Sequence, residues 1–504
     1  MRQFAFIQYA LAALFFSLAS AASTASTCFP AKKIAAQLGP MLSADAEIYI
    51  PNQADFVDVS LRWFKFAAPS YAAYVKVASE EDVQAIVRYA NKKNIPFLTV
   101  SGGHGWTSQL QRMQHGIGIS TQKLNTMKLS RDGKTVSLGG GVKSGQVERF
   151  LSAQGKRSVT GVCECTGLMG VALGGGHGTL QGHYGLLTDQ IVAARVVLAN
   201  GKAVTVSKIK NSDLFWALRG AGHNFGIVTE VTYKVYDAPA KDNWLVKTFI
   251  YLPDQIGAFY EVANKAIANG YGVDRQPAGM LVASLYTIVP NVDPNTPVLL
   301  FLMVYDGSEK EMAPHAKPYL DLKPVFNSTQ EISYGEISAV FAFDDNSVAC
   351  QKGIRTQGYS LNLQKYHVPT QRAVYDEFSK FITKNPDFKR SYVIFEGYPL
   401  QGVRAIDAST TAVADRESNI IALFSLLYSS PKNDKIAAKI GTKVRGLLHK
   451  GTSERDMSVY IGYARGTETA QQVYGSDGVR LRKLKGLKQK YDPHGRFSFY
   501  ARIE

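Results

Sequence analysis

Cysteine is scarce in this 504-residue sequence, and beyond the N-terminus no apolar run is long enough to span a bilayer. Four cysteines are too few for a disulfide scaffold. The lysines and arginines behind the net charge of +16 are scattered rather than collected in blocks. The densest basic run, residues 480–485, lies on an amphipathic helical pattern, so we interpret it as a solvated face and predict no nucleic-acid partner. What remains is a globular chain long enough for two or three domains.

Residues 1–21 have the pattern of a secretory signal peptide. Arg2 supplies a positive start, residues 10–19 are apolar, and the Ala-Ser-Ala of residues 19–21 is a small-residue cleavage site. A signal anchor would need a longer apolar run. We therefore predict a secreted protein, extracellular or in the cell wall, with no membrane association after cleavage.

A secreted chain meets an oxidising environment and the glycosylation machinery. The cysteines are Cys28, Cys163, Cys165 and Cys350, and a Cys28–Cys350 disulfide is one pairing open to them. The one Asn-x-Ser/Thr sequon is at Asn327, which would be a surface site if glycosylated. The sequence decides neither modification.

Residues 96–106 are the stretch around which the chain is organised. An apolar run from Pro96 to Val100 predicts a buried strand, and Ser-Gly-Gly-His-Gly follows it at once. Glycines without a Cβ let backbone N–H groups close on an anion, for which phosphate is the expected candidate. A second glycine-rich stretch, residues 161–178, contains Cys163. Two such stretches, each with a good nucleophile, predict a large phosphate-bearing cofactor that is held from two sides.

A metal site is the competing interpretation of the second stretch. Cys163 and Cys165, with His177 and His183, supply ligand-type side chains. However, the spacing is Cys-x-Cys, no second cysteine pair follows, and glycines interrupt the segment, unlike a structural zinc site. We therefore predict no metal.

These motifs resemble those of the berberine-bridge-enzyme-like flavin oxidases, in the vanillyl-alcohol-oxidase superfamily. In that family a Ser-Gly-Gly-His loop carries a histidine that bonds covalently to the 8α-methyl of FAD, and His104 matches it. In many members a cysteine bonds to flavin C6, and Cys163 has its spacing to Gly170 and Gly174. The resemblance implies FAD joined through His104 and, if a second bond forms, Cys163. Cys165 replaces a residue that is usually not cysteine, so the sequence leaves open which thiol faces the ring.

The resemblance also implies a set of cofactor contacts. Residues 220–228 match a family segment whose backbone lies against FAD, although a buried strand that begins with glycine explains the pattern equally well. The Tyr-Ile-Gly-Tyr at 460–463 resembles the family's Tyr-x-Asn-Tyr, with Gly462 in place of Asn, which puts one polar contact in doubt. The predicted cofactor-binding residues are Ser101, Gly102, Gly103, His104, Gly105, Cys163, Gly167, Gly170, Gly226, Ile227, Val228 and Tyr460.

Tyr463 is the predicted catalytic base, because it matches a tyrosine that has this role in several family members. An unperturbed phenol titrates around 10, so a nearby cation or strong hydrogen bonds would be needed. The sequence does not identify that partner. The alternative for Tyr463 is a core aromatic with a bonded hydroxyl, and Glu396 is a weaker candidate for the base.

The order of predicted elements indicates an α+β protein. A strand, a helix and a strand precede His104, whereas from about residue 243 strand-like runs alternate with helices. We predict a two-part PCMH-type FAD-binding domain and an α+β substrate domain whose sheet is covered by helices. The predicted parts are the signal peptide at 1–21, the FAD-binding domain at 65–240, the substrate domain at 241–450, and a C-terminal berberine-bridge-like segment at 451–504 that returns to the FAD domain.

The resemblance implies a secreted FAD-dependent oxidase of a bulky secondary metabolite, with hydride transfer to the flavin and reoxidation by O2 to H2O2. The Leu-Gly-Gly-Gly-His-Gly form at residues 173–178 resembles fungal members of natural-product pathways. Two alternatives stay open. A carbohydrate oxidase would have an open groove lined with polar and aromatic side chains, and a flavoprotein cyclase would use FAD largely as a structural group. The expected partners are a small-molecule substrate and O2, and the sequence does not identify the substrate or the oligomeric state.

Overall fold

The computed structural model describes residues 29–267, 276–452, 454 and 456–503. The predicted signal peptide and Cys28 lie outside these residues. The strands are β1 Glu47–Tyr49, β2 Tyr71–Lys76, β3 Phe97–Val100, β4 Gly116–Ser120, β5 Met127–Leu129, β6 Thr135–Gly139, β7 Lys156–Arg157, β8 Ile191–Val197, β9 Ala203–Ser207, β10 Ile227–Lys234, β11 Tyr236–Asp237, β12 Trp244–Tyr251, β13 Met280–Val289, β14 Asp293–Asp306, β15 Phe326–Ile332, β16 Arg355–Leu363, β17 Tyr392–Gly397 and β18 Ile420–Tyr428.

Helices connect these strands and cover the sheets. They are α1 Ala31–Leu38, α2 Phe56–Ser60, α3 Glu80–Lys93, α4 Ser144–Ser152, α5 Leu168–Ala172, α6 Gln181–Tyr184, α7 Ser212–Ala221, α8 Ile256–Ile267, α9 Glu309–Leu320, α10 Ile337–Val340, α11 Val368–Lys384, α12 Gln401–Arg404, α13 Asp434–Lys450, α14 Ala470–Tyr474 and α15 Val479–Tyr491. Among the described residues, no helix has both the length and the apolar character needed to cross a membrane.

The first sheet places the key loop. Its order is β1-β2-β4-β3, and β3 and β2 both run parallel to β4. Helix α3 leads into β3 and begins with a capping box in which Ser79 and Asp82 bond each other's backbone N–H groups. It ends at Asn94, which takes the left-handed conformation. The predicted strand, helix and strand are therefore confirmed, and the loop with His104 leaves the end of β3.

The second sheet forms the other part of the FAD-binding half. It is antiparallel, with the order β5-β6-β10-β8-β9. The Asn-Gly pair at residues 200 and 201 joins β8 and β9 as a hairpin, and Gly201 has a φ of 76°. Helix α15 packs on α7 beside this sheet, and its apolar stripe of Leu481, Leu484 and Leu487 is buried in the same core. The end of the chain thus returns to the FAD-binding half.

The third sheet has seven antiparallel strands in the order β15-β12-β14-β13-β17-β18-β16. One face packs on α8, α9, α11 and α13. Because side chains alternate across a strand, Val393 and Phe395 of β17 lie in this helix-covered core, while Tyr392, Ile394 and Glu396 line a cavity on the opposite face. These three sheets confirm the α+β prediction, including a sheet covered by helices, whereas the residue bounds of the predicted parts stay predictions.

One disulfide links the two halves, and it differs from the pairing considered above. Cys350 is bonded to Cys165, not to Cys28. The reason is tertiary: the loop at 163–166 packs on the segment after α10, where the backbone N–H of Glu164 donates to the carbonyl of Phe343 (3.0 Å). This contact brings two cysteines 185 residues apart into bonding range and leaves Cys163 as a free thiol.

Candidate active site

A cavity of about 350 Å³ separates the FAD-binding half from the seven-stranded sheet. On one side it is walled by the loop after β3, the cysteine loop before α5 and the start of β10. On the other side lie β13, β17 and β18 together with the 460–463 segment. The structure brings to this cavity every site residue predicted from the sequence: Ser101, Gly102, Gly103, His104, Gly105, Cys163, Gly167, Gly170, Gly226, Ile227, Val228, Tyr460 and Tyr463.

The two glycine-rich loops pack directly on each other. A Cβ on Gly102 would lie 2.4 Å from the backbone nitrogen of Gly167, and a Cβ on Gly167 would lie 2.1 Å from the hydroxyl of Ser101. Gly170 differs, because a Cβ there would meet no atom within 4 Å. The first two glycines are thus required for loop packing, whereas Gly170 leaves open space beside its backbone. The sequence predicts all three as cofactor-binding residues, and glycine spacing alone does not separate these roles.

His104 is held as a neutral imidazole beside the cavity. Its ring stacks on Trp63 with the ring centroids 5.4 Å apart. Burial, together with the nearby cations Arg62, Lys143 and Lys352, lowers the pKa of His104 to about 3. A neutral imidazole keeps a nitrogen lone pair, which nucleophilic attack requires.

Cys163 is the thiol that is available next to His104. The sulfur of Cys163 and a ring nitrogen of His104 lie within 4.8 Å of each other. Cys165 also falls within that distance, but its sulfur is already bonded to Cys350. Of the two candidate thiols, Cys163 is therefore the free one. A metal site at this group would have only two donors with free ligand atoms, since a disulfide sulfur is not a thiolate.

Tyr463 and Glu396 form a pair across the cavity wall. The Tyr463 hydroxyl donates to Glu396 Oε1 (2.8 Å), and the Tyr398 hydroxyl donates to Oε2 of the same carboxyl (3.0 Å). Burial raises the pKa of Glu396 to about 7, although both hydrogen bonds act in the opposite direction. The hydroxyl of Ser360 donates to the Tyr463 carbonyl (3.0 Å), which fixes the turn that carries Tyr463.

This pairing changes the predicted role of Tyr463. A tyrosine base was expected to need a nearby cation or strong hydrogen bonds, and its hydrogen-bond partner is a carboxyl. Burial and then Glu396 hold the pKa of Tyr463 well above the ordinary value of a phenol. Tyr463 is therefore protonated at neutral pH, and Glu396, the weaker sequence candidate, is the group with a pKa suited to accept a proton.

Gly462 stands where the related motif has Asn, and the structure explains the difference. A Cβ on Gly462 would lie 2.6 Å from ring atoms of Tyr460, so an Asn side chain would displace this ring. The Tyr460 ring in turn contacts the edge of His177 (4.8 Å between centroids), and His177 lines the cavity. His177 Nδ1 is 3.0 Å from Gln181 Oε1, which makes it a bonded loop histidine at the cavity edge.

Other motif residues lie away from the cavity. His183, which the metal interpretation included, is not among the residues that line it. Arg416 makes a buried ion pair with Asp189 (2.8 and 2.9 Å) and donates to Thr411 (3.0 Å). These contacts fasten the substrate half to the FAD-binding half and are structural.

Sequence reasoning missed several wall residues. Tyr398 was not singled out, nor were Leu281, Ala283, Ile394 and Leu423, which line the cavity from three strands. Alternation along β17 was the available signal, because Ile394, Glu396 and Tyr398 are spaced two apart. That signal does not say which face of the sheet meets the cofactor.

The wall fits a phosphate-bearing aromatic cofactor. Within the described part of the chain, Arg62 Nε, Ser101 Oγ and Arg496 Nε are buried without a hydrogen-bond partner, and all three residues line the cavity. Guanidinium groups suit phosphate oxygens, and the open space at Gly170 suits close approach to the backbone. These residues would hold the charged part of FAD, with His104 and Cys163 beside the ring.

Comparisons with known proteins agree with this geometry. Residues 71–207 match a family model described as an FAD binding domain. The chain is 38% identical over 471 residues to the FAD-linked oxidoreductase chyH of Penicillium rubens, which covers 93% of each chain. Two solved structures share the fold over 94% of this chain and 99% of theirs: BBE-like 1 of Physcomitrella patens (TM-score 0.79, 20% identity) and glucooligosaccharide oxidase of Acremonium strictum (TM-score 0.77, 20% identity).

Identity above 30% across nearly the whole of both chains establishes the relationship. The cavity, the paired glycine loops and the histidine beside a thiol form a site that fits the FAD of these relatives. This chain belongs to the family of FAD-linked oxidoreductases, it shares its fold with a berberine-bridge-enzyme-like protein, and its cofactor is FAD.

Proposed function

We propose that this protein is an oxidase that carries FAD bonded to both His104 and Cys163. The observation behind the proposal is that a neutral imidazole nitrogen and a free thiol lie within 4.8 Å of each other on the cavity wall. The flavin 8α-methyl and C6 belong to one benzene ring, so residues that bond to both must be close neighbours. The glucooligosaccharide oxidase of similar fold is described as having a 6-S-cysteinyl, 8α-N1-histidyl FAD.

The substrate side of the cavity supports an apolar, bulky substrate. Ile394 of β17 lies directly opposite Leu423 of β18, and both are buried in the wall with Leu281 and Ala283 of β13. Phe341 and Phe343 add aromatic surface. Binding of apolar substrate groups to such a wall is favourable, because apolar surface is removed from water. The wall offers few hydrogen-bond partners for sugar hydroxyls, which would lose their hydrogen bonds to water. It favours an aromatic or polyketide-like alcohol over an oligosaccharide, which was expected to need an open groove with polar as well as aromatic side chains.

Glu396 and Tyr463 provide the route for the substrate proton. A substrate hydroxyl next to Tyr463 gives its proton to the phenol oxygen while the Tyr463 proton moves to Glu396 Oε1, 2.8 Å away. This relay avoids a phenolate, which burial and the neighbouring carboxyl disfavour. Bound FAD would supply the hydride acceptor and the group that O2 reoxidises. The remaining wall residues orient the substrate and exclude water.

The test is anaerobic mixing of the yellow protein with a panel of aromatic alcohols and a panel of oligosaccharides. We expect flavin bleaching with members of the first panel and H2O2 release when O2 is readmitted. Bleaching with the sugars alone would make the protein a carbohydrate oxidase. Conversion of a ligand without bleaching would indicate a cyclase with structural FAD.

We further propose that the protein is secreted after cleavage following Ala21 and is glycosylated at Asn327. In support of the second point, Asn327 is exposed on the edge strand β15 of the seven-stranded sheet. Intact mass of the protein from culture medium, before and after glycosidase treatment, tests both points. An intact N-terminus or a mass unchanged by the glycosidase would contradict them separately.

A further inference from the structure

Three cysteines meet at the edge of the cofactor cavity. The sulfur of Cys163 is 3.6 Å from the sulfur of Cys165, which is bonded to Cys350. Because the disulfide sulfur carries no proton, the contact is between one free thiol and one disulfide. This is the arrangement from which thiol–disulfide exchange starts.

We propose that Cys163 and the Cys165–Cys350 bond form a thiol–disulfide exchange site. In this step the Cys163 thiolate attacks the sulfur of Cys165, a Cys163–Cys165 bond forms, the Cys165–Cys350 bond breaks, and Cys350 leaves as a thiolate that takes up a proton. One disulfide is lost and one is gained, so no external oxidant or reductant is needed. Cys165 is the sulfur attacked, because it lies 3.6 Å from the sulfur of Cys163.

The exchange affects the cavity because Cys350 ends a wall segment. Phe341, Phe343 and Ala349 of this segment line the cavity, and the disulfide fastens it to the cysteine loop. After exchange the segment keeps only noncovalent ties, such as the backbone bond from Glu164 to Phe343. The covalent connection between the wall segment and the FAD-binding half therefore depends on the state of Cys163.

Flavin attachment and exchange compete for the same sulfur. This second part rests on the proposed bond between Cys163 and FAD. A Cys163 sulfur bonded to the flavin has no thiolate to attack Cys165, so attachment locks the disulfide and the wall segment in place. An unattached Cys163 leaves the disulfide exchangeable.

The surroundings of Cys163 keep exchange slow at neutral pH. Burial raises the pKa of Cys163 to about 12, and the carboxylates of Asp345 and Glu164 add to this direction. The other titratable groups that face it are the neutral His104 ring and Tyr392 of β17. Since the thiolate is the attacking form, the exchange rate should rise about tenfold per pH unit well below that pKa.

The first test traps the released thiol in the full chain carrying Cys28→Ser. Protein from riboflavin-limited cultures is incubated with iodoacetamide at pH 7, 8 and 9, and disulfides are mapped by mass spectrometry under acidic, nonreducing conditions. We expect Cys350 to be alkylated and Cys163 to be linked to Cys165, increasing with pH. In Cys28→Ser/Cys163→Ser, Cys350 should stay unalkylated. Alkylated Cys163 with an intact Cys165–Cys350 bond as the only product, or equal Cys350 labelling in both variants, would overturn the exchange.

The second test addresses competition with the flavin in riboflavin-replete protein. Cys350→Ser leaves Cys165 as a free thiol beside Cys163, and the disulfide-forming oxidants of the secretory pathway can remove two electrons and two protons from this pair. We therefore expect a Cys163–Cys165 disulfide and at least about a fivefold loss of flavin bonded to Cys163. The control Cys165→Ser/Cys350→Ser also lacks the original disulfide but has no competing thiol, and it should retain that bond. Equal losses of Cys163-bonded flavin in both variants would show that flavin attachment depends on the Cys165–Cys350 disulfide and not on competition between thiols. Absence of a Cys163–flavin bond in the parent would instead contradict the proposed bicovalent FAD, while the exchange test stands.

Discussion

The two walls of the cavity are built in different ways. The cofactor wall comes from short runs of consecutive residues: five from 101 to 105, the cysteine loop, and three from 226 to 228. The substrate wall comes from alternate residues on three strands, such as Ala283, Ile394 and Leu423, and from the tyrosines around Glu396. Cofactor chemistry is therefore encoded in local motifs, whereas substrate chemistry is encoded in which sheet face is turned inward. Variants of the two walls should fail in different ways.

The largest effect is expected from removing both anchors on the cofactor wall. His104→Ala/Cys163→Ala lacks both nucleophiles, so acid precipitation should leave all of the flavin in the supernatant, while His104→Ala alone should keep flavin in the pellet through its bond to Cys163. Absorbance of pellet and supernatant measures this. Flavin that stays covalently bound in the double variant would show that the anchors lie elsewhere.

Next in size is Tyr463→Phe on the substrate wall. Loss of the hydroxyl removes the proton route to Glu396, and the rate of anaerobic flavin reduction should fall about 10²-fold or more. Flavin content should not change, because Tyr463 is not an anchor. Tyr251→Phe, which removes a buried hydroxyl in the helix-covered core, is the matched control. An unchanged reduction rate in Tyr463→Phe would remove this residue from the mechanism.

A smaller, graded effect is expected from pH. Glu396 must be ionised to accept a proton, and its pKa is about 7. Below that pH the carboxyl is protonated, so the rate of flavin reduction should fall by about tenfold per pH unit, and above it the rate should level off. Stopped-flow measurement of the flavin reduction rate between pH 5 and pH 9 gives this pH profile. A flat profile in this range would mean that Glu396 is not the proton acceptor.

The smallest effect should come from Tyr398→Phe, which keeps the ring and loses one hydrogen bond to the carboxylate. Because that bond stabilises the charged form, its loss should raise the pKa of Glu396. The rise of the reduction rate with pH should then move to higher pH by about one unit. Infrared titration of the carboxyl band, with Glu396→Gln as the blank, gives the same pKa without substrate.

Tyr392→Phe is the control for this shift, since it removes a hydroxyl from the same wall and the described hydrogen bonds to Glu396 come from Tyr463 and Tyr398. The pH at which the reduction rate rises should not change in this variant. An equal shift in both variants would indicate a general change in the wall and not the loss of one bond.

Much of the cofactor wall could be predicted from the sequence. His104 and its glycines are consecutive, so a strand followed by a loop places them together whatever the rest of the chain does. The capping box of Ser79 and Asp82 and the hairpin at Gly201 are likewise local, because each is formed by residues a few positions apart. By contrast, Gly102 and Gly167 are close only because two loops pack on each other, and sequence spacing holds no information on that contact.

The partner of Tyr463 and the partner of Cys350 show where sequence reasoning stops. Glu396 is 67 residues from Tyr463, and the electrostatic consequence, a raised pKa for the phenol, follows only once they meet. Cys165 is 185 residues from Cys350, and the correct pairing needs the contact between the cysteine loop and the wall segment.

By itself the sequence determined the cofactor, the α+β class and the family and predicted His104 as the anchor, because each depends on residues that are neighbours along the chain. Only the tertiary structure decided which thiol is free, which carboxyl is bonded to Tyr463 and which side chains of the seven-stranded sheet face the cavity. These depend on distances between elements far apart in sequence and on burial, and burial sets the pKa values through which the site acts.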